Sequence, residues 1–278
     1  MKLIQSLKDL DFTKENVLCK PIAFIPTMGA LHEGHLALVR AAQKNGEFTL
    51  VSIFVNPLQF NNIDDLEKYP RTIESDLLAL ENVGTNAVLI PSYDELYSPG
   101  IQDIQVDLYD LGKRFEGEHR PGHFNGVIQV LFRLFMFTKP NSVYFGQKDL
   151  QQCLVVRQLL NQVFRHIFFH MVPTHREESG LAMSSRNTLL SPGDRQNASG
   201  IWKSLLSLRG NIRDFHAGRI SQIEYLRGKG IETEYLNWVR LPTLENASLL
   251  DTNTQNALVF AGYIGAVRLI DNIVFDLE

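Results

Sequence analysis

A chain of 278 residues can bury a substantial core, in one large or two smaller domains, and its net charge of −4 with interspersed signs leaves no broad nucleic-acid footprint. Two cysteines, Cys19 and Cys153, have neither metal-ligand spacing nor the density of a disulfide scaffold, which fits a reducing cytoplasm. Residues 1–5 lack the apolar core of a signal peptide, and the most apolar helical run, 127–137, is too short for a bilayer and is interrupted by Gln129 and Arg133. The expectation is a cytoplasmic protein with no nucleic-acid or membrane partner.

The apolar run Ile22-Ala23-Phe24-Ile25 predicts a strand. It leads into Pro26-Thr27-Met28-Gly29-Ala30-Leu31-His32-Glu33-Gly34-His35, after which Leu36, Leu38, Val39, Ala41 and Ala42 recur at helical spacing. A glycine-bearing turn between strand and helix lets backbone N–H groups converge at a helix N-terminus, which suits an anion. His32 and His35 are three apart, so their rings share one face of the first turn and can donate to a phosphate. His-Glu-Gly-His is one residue short of the zinc pattern His-Glu-x-x-His. Gly29 and Gly34 have Walker-A spacing, but His35 stands in place of the lysine and no Ser or Thr follows for magnesium. Two structural histidines at a helix start fit this short motif as well as a nucleotide phosphate site does.

The run 49–55 is β-branched and apolar almost throughout, as in a strand covered on both faces. Asn56-Pro57 ends it, and residues just past strand ends line the crevice of an open α/β sheet, so Asn56 and Gln59 lie near the histidine turn if the two strands are neighbours. Thr72 is a candidate cap for a helix carrying Ile73, Leu77, Leu80 and Val83 and closed by Gly84; Asp76 on it reads as solvated. Residues 87–90 form the third strand. This β-α-β-α-β order is the mononucleotide-binding half of a doubly wound fold. Residues 94–111 read as irregular, with a short strand at 104–106, and 116–126 as a shaped loop bearing His119, Arg120 and His123. A core helix at 127–138 and a buried strand at 142–145 follow, the strand ending in Gly146-Gln147-Lys148-Asp149. A lysine at a strand end after a glycine favours a phosphate role over an ordinary surface lysine.

A helix from Leu150 to about Val163 has Gln151 and Gln152 in its first turn, and 166–172 is the last strand of this half. Ser184, Ser185 and Arg186 offer two hydroxyls and a guanidinium fork, which suits a polyphosphate; a helix-capping cluster is the other reading, since Ser191-Pro192 looks like a cap. Helical stretches at 193–208 and 221–229 precede strands at 235–241, 257–263 and 267–273, which marks a separate α+β unit. The predicted fold is α/β: a doubly wound, Rossmann-like parallel sheet over 1–173 and a smaller α+β lid domain over 174–278.

Six blocks in order resemble the AMP-forming pantoate–β-alanine ligases, over nearly the whole chain. They are Pro-Thr-Met-Gly-Ala-Leu-His-x-Gly-His at 26–35, Val-Ser-Ile-Phe-Val-Asn-Pro-x-Gln-Phe at 51–60, Tyr-Pro-Arg-Thr at 69–72, Arg-Pro-Gly-His-Phe-x-Gly-Val at 120–127, Phe-Gly-x-Lys-Asp-x-Gln-Gln at 145–152 and Gly-Leu-Ala-Met-Ser-Ser-Arg-Asn at 180–187. The resemblance implies ligation of pantoate and β-alanine to pantothenate through a pantoyl adenylate, with AMP and pyrophosphate released. It implies that His32, His35, Lys148, Ser184, Ser185 and Arg186 hold the triphosphate, with His32, His35, Lys148 and Arg186 as the catalytic set. Met28, Gly146, Asp149 and Met183 complete the ATP positions, Gln59 and Gln152 bind pantoate, and Asp76 matches an acidic position associated with Mg2+. A homodimer is implied too. The chain departs from the family pattern at Ser179, where Asp is usual, at His175, usually apolar, and at Gln129, usually Thr. Another His-x-Gly-His nucleotidyltransferase, or a non-catalytic nucleotide-binding module, are the other readings.

Overall fold

Alternation along the first strands sorts their side chains onto two faces, and helices cover both. The computed structural model describes residues 1–10, 20–61, 63–249 and 253–277. Its elements in order are β1 (Lys2–Ile4), β2 (Ile22–Thr27), α1 (Glu33–Lys44), β3 (Phe48–Ile53), α2 (Ile63–Glu67), α3 (Ile73–Asn82), β4 (Ala87–Leu89), α4 (Tyr93–Leu96), α5 (Glu116–His119), α6 (His123–Thr138), β5 (Ser142–Gly146), α7 (Leu150–Val163) and β6 (Phe168–Val172). There follow α8 (Pro192–Ala198), α9 (Gly200–Gly210), α10 (Phe215–Gly228), β7 (Ile231–Arg240), β8 (Glu245–Asn246), β9 (Asn256–Ile264) and β10 (Val267–Phe275). The chain divides into two compact units, 1–146 with 151–173, and 147–150 with 174–278.

In the first unit six strands form a parallel sheet in the order β1-β4-β3-β2-β5-β6. Ala23 and Ile25 of β2, Val51 and Ile53 of β3 and Val88 of β4 pack against Leu36 and Val39 of α1 and Leu80 of α3. Phe24, Leu50, Ala87, Leu89, Val143 and Phe145 point the other way, into α6 and α7. This period of two, with both faces apolar, makes the strands read as continuous hydrophobic runs. Strand β2 has β3 on one side and β5 on the other, so the chain order reverses there and the crevice opens beyond Thr27 and Gly146.

The second unit is a four-stranded antiparallel sheet, order β10-β9-β7-β8. Its core joins Leu205, Leu208 and Leu226 from the helices to Leu236, Trp238, Leu258 and Phe260 from the sheet. The expected α/β architecture with a smaller α+β part is therefore present. Among the described residues no helix is long and apolar enough to cross a membrane.

Several local expectations need correction. There is no strand at 104–106: both backbone groups of Ile104 bond the side chain of Gln129, whose Oε1 accepts its N–H at 3.2 Å and whose Nε2 donates to its carbonyl at 2.7 Å. The predicted 193–208 helix is broken at Ser199 into α8 and α9, and the 221–229 helix starts earlier, at Phe215. The loop at 116–126 contains the short α5 and the first turn of α6. The added edge strand β1 is too short for its alternation to register in the sequence. Ser191 does cap α8, accepting the Asp194 N–H at 3.1 Å, with Pro192 at the first helical position.

Candidate active site

Between β2 and α1 the chain is held in a conformation that a free peptide would avoid. Thr27 Oγ1 donates to the Ser52 carbonyl at 2.7 Å and accepts the Gly29 N–H at 3.3 Å. Gly29 (φ +80°) and Ala30 (φ +49°) both lie in the left-handed region, which costs an alanine about 1–2 kcal/mol. Asp76 offsets this from α3: its Oδ2 accepts the Ala30 N–H at 3.0 Å and its Oδ1 the Leu31 N–H at 2.8 Å. Bonds to a charged acceptor contribute about 1.5–3 kcal/mol each, so the carboxylate outweighs the strain. Two expectations change as a result. Asp76 is buried, not solvated, and Thr72, although it is the N-cap residue of α3, makes no side-chain capping bond, because its hydroxyl turns to both Asp76 oxygens at 3.2 Å. The Ala30 and Leu31 N–H groups are thereby taken up by Asp76.

His32 is the N-cap of α1, and its Nδ1 accepts the Gly34 N–H at 3.1 Å. In return His35 Nδ1 accepts the His32 N–H at 3.3 Å, so the two imidazoles form a reciprocal capping box with ring centroids 4.1 Å apart. A nitrogen that accepts carries no proton. In the neutral ring the proton of each histidine is therefore on Nε2, which makes Nε2–H the donor that can meet an anion.

Strand β3 ends at Ile53, and residues 57–59 make a 3-10 turn capped by Asn56, whose Oδ1 accepts the Leu58 N–H at 3.3 Å. Strands β2 and β3 are neighbours, and Gln59 Nε2 does reach Met28 Sδ, at 2.6 Å. Behind the turn, Asn56 Nδ2 donates to the Gly126 carbonyl at 3.0 Å and Tyr97 OH donates to Asn56 Oδ1 at 2.9 Å. Burial raises the Tyr97 phenol well above its ordinary range, so it stays a neutral donor. Arg133 lies over the Tyr97 ring at 4.6 Å and pairs with Asp103 at 2.7 Å. On the other side Arg120 Nη1, which can only donate, meets His123 Nε2 at 3.1 Å. His123 Nδ1–H therefore donates to the Gln59 carbonyl, at 2.8 Å. None of the contacts of Tyr97 and Asp103 was anticipated. The only signal for the His123 brace was the glycine-rich loop that carries it.

Gln151 and Gln152 read alike in the sequence but differ here. Gln151 is buried and saturated: it donates to the carbonyls of Leu111 (2.6 Å) and Arg114 (2.8 Å) and accepts the Glu116 N–H (3.0 Å). Gln152 is half-buried on the same turn and has no hydrogen-bond partner among the described residues. A Cβ added to Gly146, at the end of β5, would meet nothing within 4 Å, so that strand end is open.

In the second unit, Lys148 and Asp149 sit on a 3-10 turn with Nζ to Oδ1 at 3.5 Å. Asn272 Nδ2 fixes that turn, donating to the carbonyls of Gln147 (2.9 Å) and Lys148 (3.0 Å). Asp271 beside it is buried against a bidentate Arg176, at 2.7 and 2.8 Å; burial raises its carboxyl and the guanidinium opposes this. Arg176 Nη1 also donates to the Gly180 carbonyl at 3.0 Å and its guanidinium lies 3.5 Å from the Trp202 ring centroid. The 175–183 loop is closed by the Arg176–Ala182 bridge, and the Ser179 hydroxyl accepts the Leu181 N–H at 3.4 Å. His175 is exposed and contributes its carbonyl to the Met183 N–H at 3.0 Å. Ser184 then caps the 3-10 turn Ser185–Leu189, accepting the Arg186 N–H at 3.3 Å, so the capping reading of this cluster holds for Ser184 itself. Met183, Ser184, Ser185 and Arg186 are all half-buried, and Asn187 anchors them through its bonds to Glu177 (3.0 Å) and the Ala182 carbonyl (3.1 Å).

A parallel sheet with a paired-histidine turn at its switch point defines a nucleotide-binding α/β protein of the His-x-Gly-His kind. The pantoate–β-alanine ligase family profile matches residues 2–274. The pantothenate synthetase of Cytophaga hutchinsonii is 41% identical over 99% of this chain and 98% of its own length, and that of Fervidobacterium nodosum 38% over 99% and 100%. Among solved structures, the pantothenate synthetase of Thermus thermophilus superposes with a TM-score of 0.88 at 37% identity, covering 98% of this chain and 99% of that one. The Francisella tularensis pantoate–β-alanine ligase, complexed with an ATP compound and β-alanine, gives 0.83 at 32% identity, covering 99% and 97%. The chain belongs to the pantoate–β-alanine ligase family.

Proposed function

We propose that this protein joins pantoate to β-alanine at the expense of ATP. A carboxylate oxygen of pantoate attacks the α-phosphorus, giving pantoyl adenylate and pyrophosphate; the β-alanine amine then attacks the acyl carbon, and AMP leaves. No side-chain nucleophile is needed, so the protein contributes positioning and charge stabilisation. The observation that carries this reading, beside family membership, is the imidazole pair whose Nδ1 atoms both accept backbone N–H groups of the turn, which fixes Nε2 as the protonated nitrogen of each neutral ring.

His32, His35, Lys148 and Arg186 act on the phosphates as charge accumulates, with Ser184, Ser185, Asp149 and Met183 completing the ATP contacts and Met28 and Gly146 beside the nucleoside. Gln59 and Gln152 bind the hydroxyl and carboxylate of pantoate. Magnesium belongs to this reading as the counter-ion that ATP brings. Asp76 does not fit as its direct ligand, because both oxygens accept backbone N–H groups in a buried position, and no group of three or more His, Cys, Asp or Glu that could hold a metal occurs among the described residues. The same reading takes the protein as a cytoplasmic homodimer. Sedimentation of the purified protein tests the dimer.

Pantoate labelled with oxygen-18 in its carboxylate tests the chemistry. One label should appear in the phosphate of AMP, and AMP should form only when pantoate is present. Label in inorganic phosphate with ADP as the nucleotide product would refute attack at the α-phosphorus. A protein that binds ATP without turnover would be a binding module instead.

A further inference from the structure

Asp76 is an anomaly in a site meant for a polyphosphate: a carboxylate buried to 2% exposure directly behind the histidine turn. Its charge repels phosphate, so its presence needs a compensating use. A metal ligand is one such use, but a metal-binding carboxylate keeps a lone pair directed at the ion. Here Oδ2 and Oδ1 face the Ala30 and Leu31 N–H groups at 3.0 and 2.8 Å, and the Thr72 hydroxyl bridges both oxygens at 3.2 Å. The residues bonded are the ones that need holding. Ala30 has φ +49°, and a Cβ on Gly29 would sit 3.0 Å from Asp76 Oδ2. Leu31 directly precedes His32, whose backbone N–H is in turn bonded to His35 Nδ1.

We propose that Asp76 is a positioning residue that latches the 29–31 backbone and thereby sets the aim of both imidazoles, and that it is not a magnesium ligand. The inference rests on the reading that His32 and His35 hold ATP phosphates. In Asp76→Asn the amide has the same shape but retains one acceptor and turns an NH2 group toward the second backbone N–H. The turn loses a charge-assisted bond and gains a donor–donor clash, enough for about tenfold or more in affinity.

Equilibrium dialysis of ATP against the full-length protein separates the possibilities, run once with EDTA and once across a magnesium series, with pantoate binding as a control on the rest of the site. The expected result is metal-free ATP binding weakened about tenfold or more in Asp76→Asn, an unchanged magnesium midpoint, and unchanged pantoate affinity. Thr72→Val, which removes only the hydroxyl that orients the carboxylate, should move ATP affinity in the same direction by less. Equal or tighter metal-free ATP binding by Asp76→Asn would overturn the proposal, because loss of the negative charge alone favours ATP; so would a magnesium midpoint displaced upward. If Asp76→Asn gives no cooperative thermal transition, Thr72→Val decides, and unchanged ATP affinity there overturns the latch. Failure of the unaltered protein to bind ATP would instead count against the proposed function.

Discussion

Gly126 is the position where one added carbon should separate function from stability. It lies in the first turn of α6, where an ideal Cβ would stand 2.2 Å from the Leu58 carbonyl oxygen, 2.5 Å from its carbon and 2.8 Å from Gln59 N. These are backbone atoms and cannot swing aside. Ordinary carbon contacts begin near about 3.5 Å, so in Gly126→Ala the helix and the 57–59 turn must part by more than about 1 Å. The bond from Asn56 Nδ2 to the Gly126 carbonyl, 3.0 Å long, is disturbed by the same movement. Overpacking of this kind costs about 1–3 kcal/mol, while alanine is the better helix former by about 1 kcal/mol. Net destabilisation is then about 0–2 kcal/mol, a fall in Tm of only a few degrees. Displacing Gln59 by about 1 Å, in contrast, should lower kcat/KM for pantoate on the order of a hundredfold. The assay is AMP release with pantoate varied at saturating ATP and β-alanine, alongside thermal unfolding. A variant with kcat/KM for pantoate near that of the unaltered protein would show that Gln59 does not need the α6 contact, and the reasoning would be wrong.

The two neighbouring glutamines should part company. Gln152→Ala should cut kcat/KM for pantoate by about tenfold or more with Tm almost unmoved, whereas Gln151→Ala leaves buried backbone groups unpaired and should cost about 1–3 kcal/mol of stability; a reversed pattern in paired kinetics and melts would reassign them. Glu95 is held below the ordinary carboxyl range first by the Ser6 hydroxyl at 2.5 Å and further by Ser92 and the Leu7 N–H, against a partial burial that pulls the other way. A depressed folded pKa contributes stability above the unfolded value of about 4.3 that is lost as pH falls through the folded value. Glu95→Gln should therefore lower Tm at pH 7, by the equivalent of at most about 1 kcal/mol given the group's exposure, and the gap should close below about pH 4. A gap of constant size down to about pH 3 would contradict the linkage.

What the sequence disclosed was set by range. The β2 strand run, the β2–α1 turn and the Ser191-Pro192 cap each follow from a few consecutive residues, and each is where expected. The misreadings arise where a distant partner decides the matter. Thr72 stands at the N-cap of α3 as expected, but its hydroxyl serves Asp76, whose burial is decided by the N–H groups of residues 46 and 45 positions away. Residues 104–106 have strand composition, but Gln129 occupies both bonding groups of Ile104. Tyr97 and Asn56 are 41 positions apart, and no local pattern marks either one as the other's partner.

Identity alone also fails to divide braces from ligands, and the division follows from counting what each polar group has left over. Gln151 and Gln152 are the same residue on the same turn, yet one has its bonding capacity used by Leu111, Arg114 and Glu116 and the other has none of it used among the described residues. Among the charged groups, the Asp76 oxygens face inward to the backbone, while the Lys148 ammonium, about one-fifth exposed, pairs with its sequence neighbour Asp149. A group whose hydrogen bonds are completed within the fold has its geometry fixed by the fold and little left for substrate. One that is half-buried and incomplete lacks the partner that would justify its desolvation, and a substrate can supply it. By that criterion the histidine pair counts first as a brace: its Nδ1 atoms hold the helix start, and this fixes the neutral tautomer with its proton on Nε2.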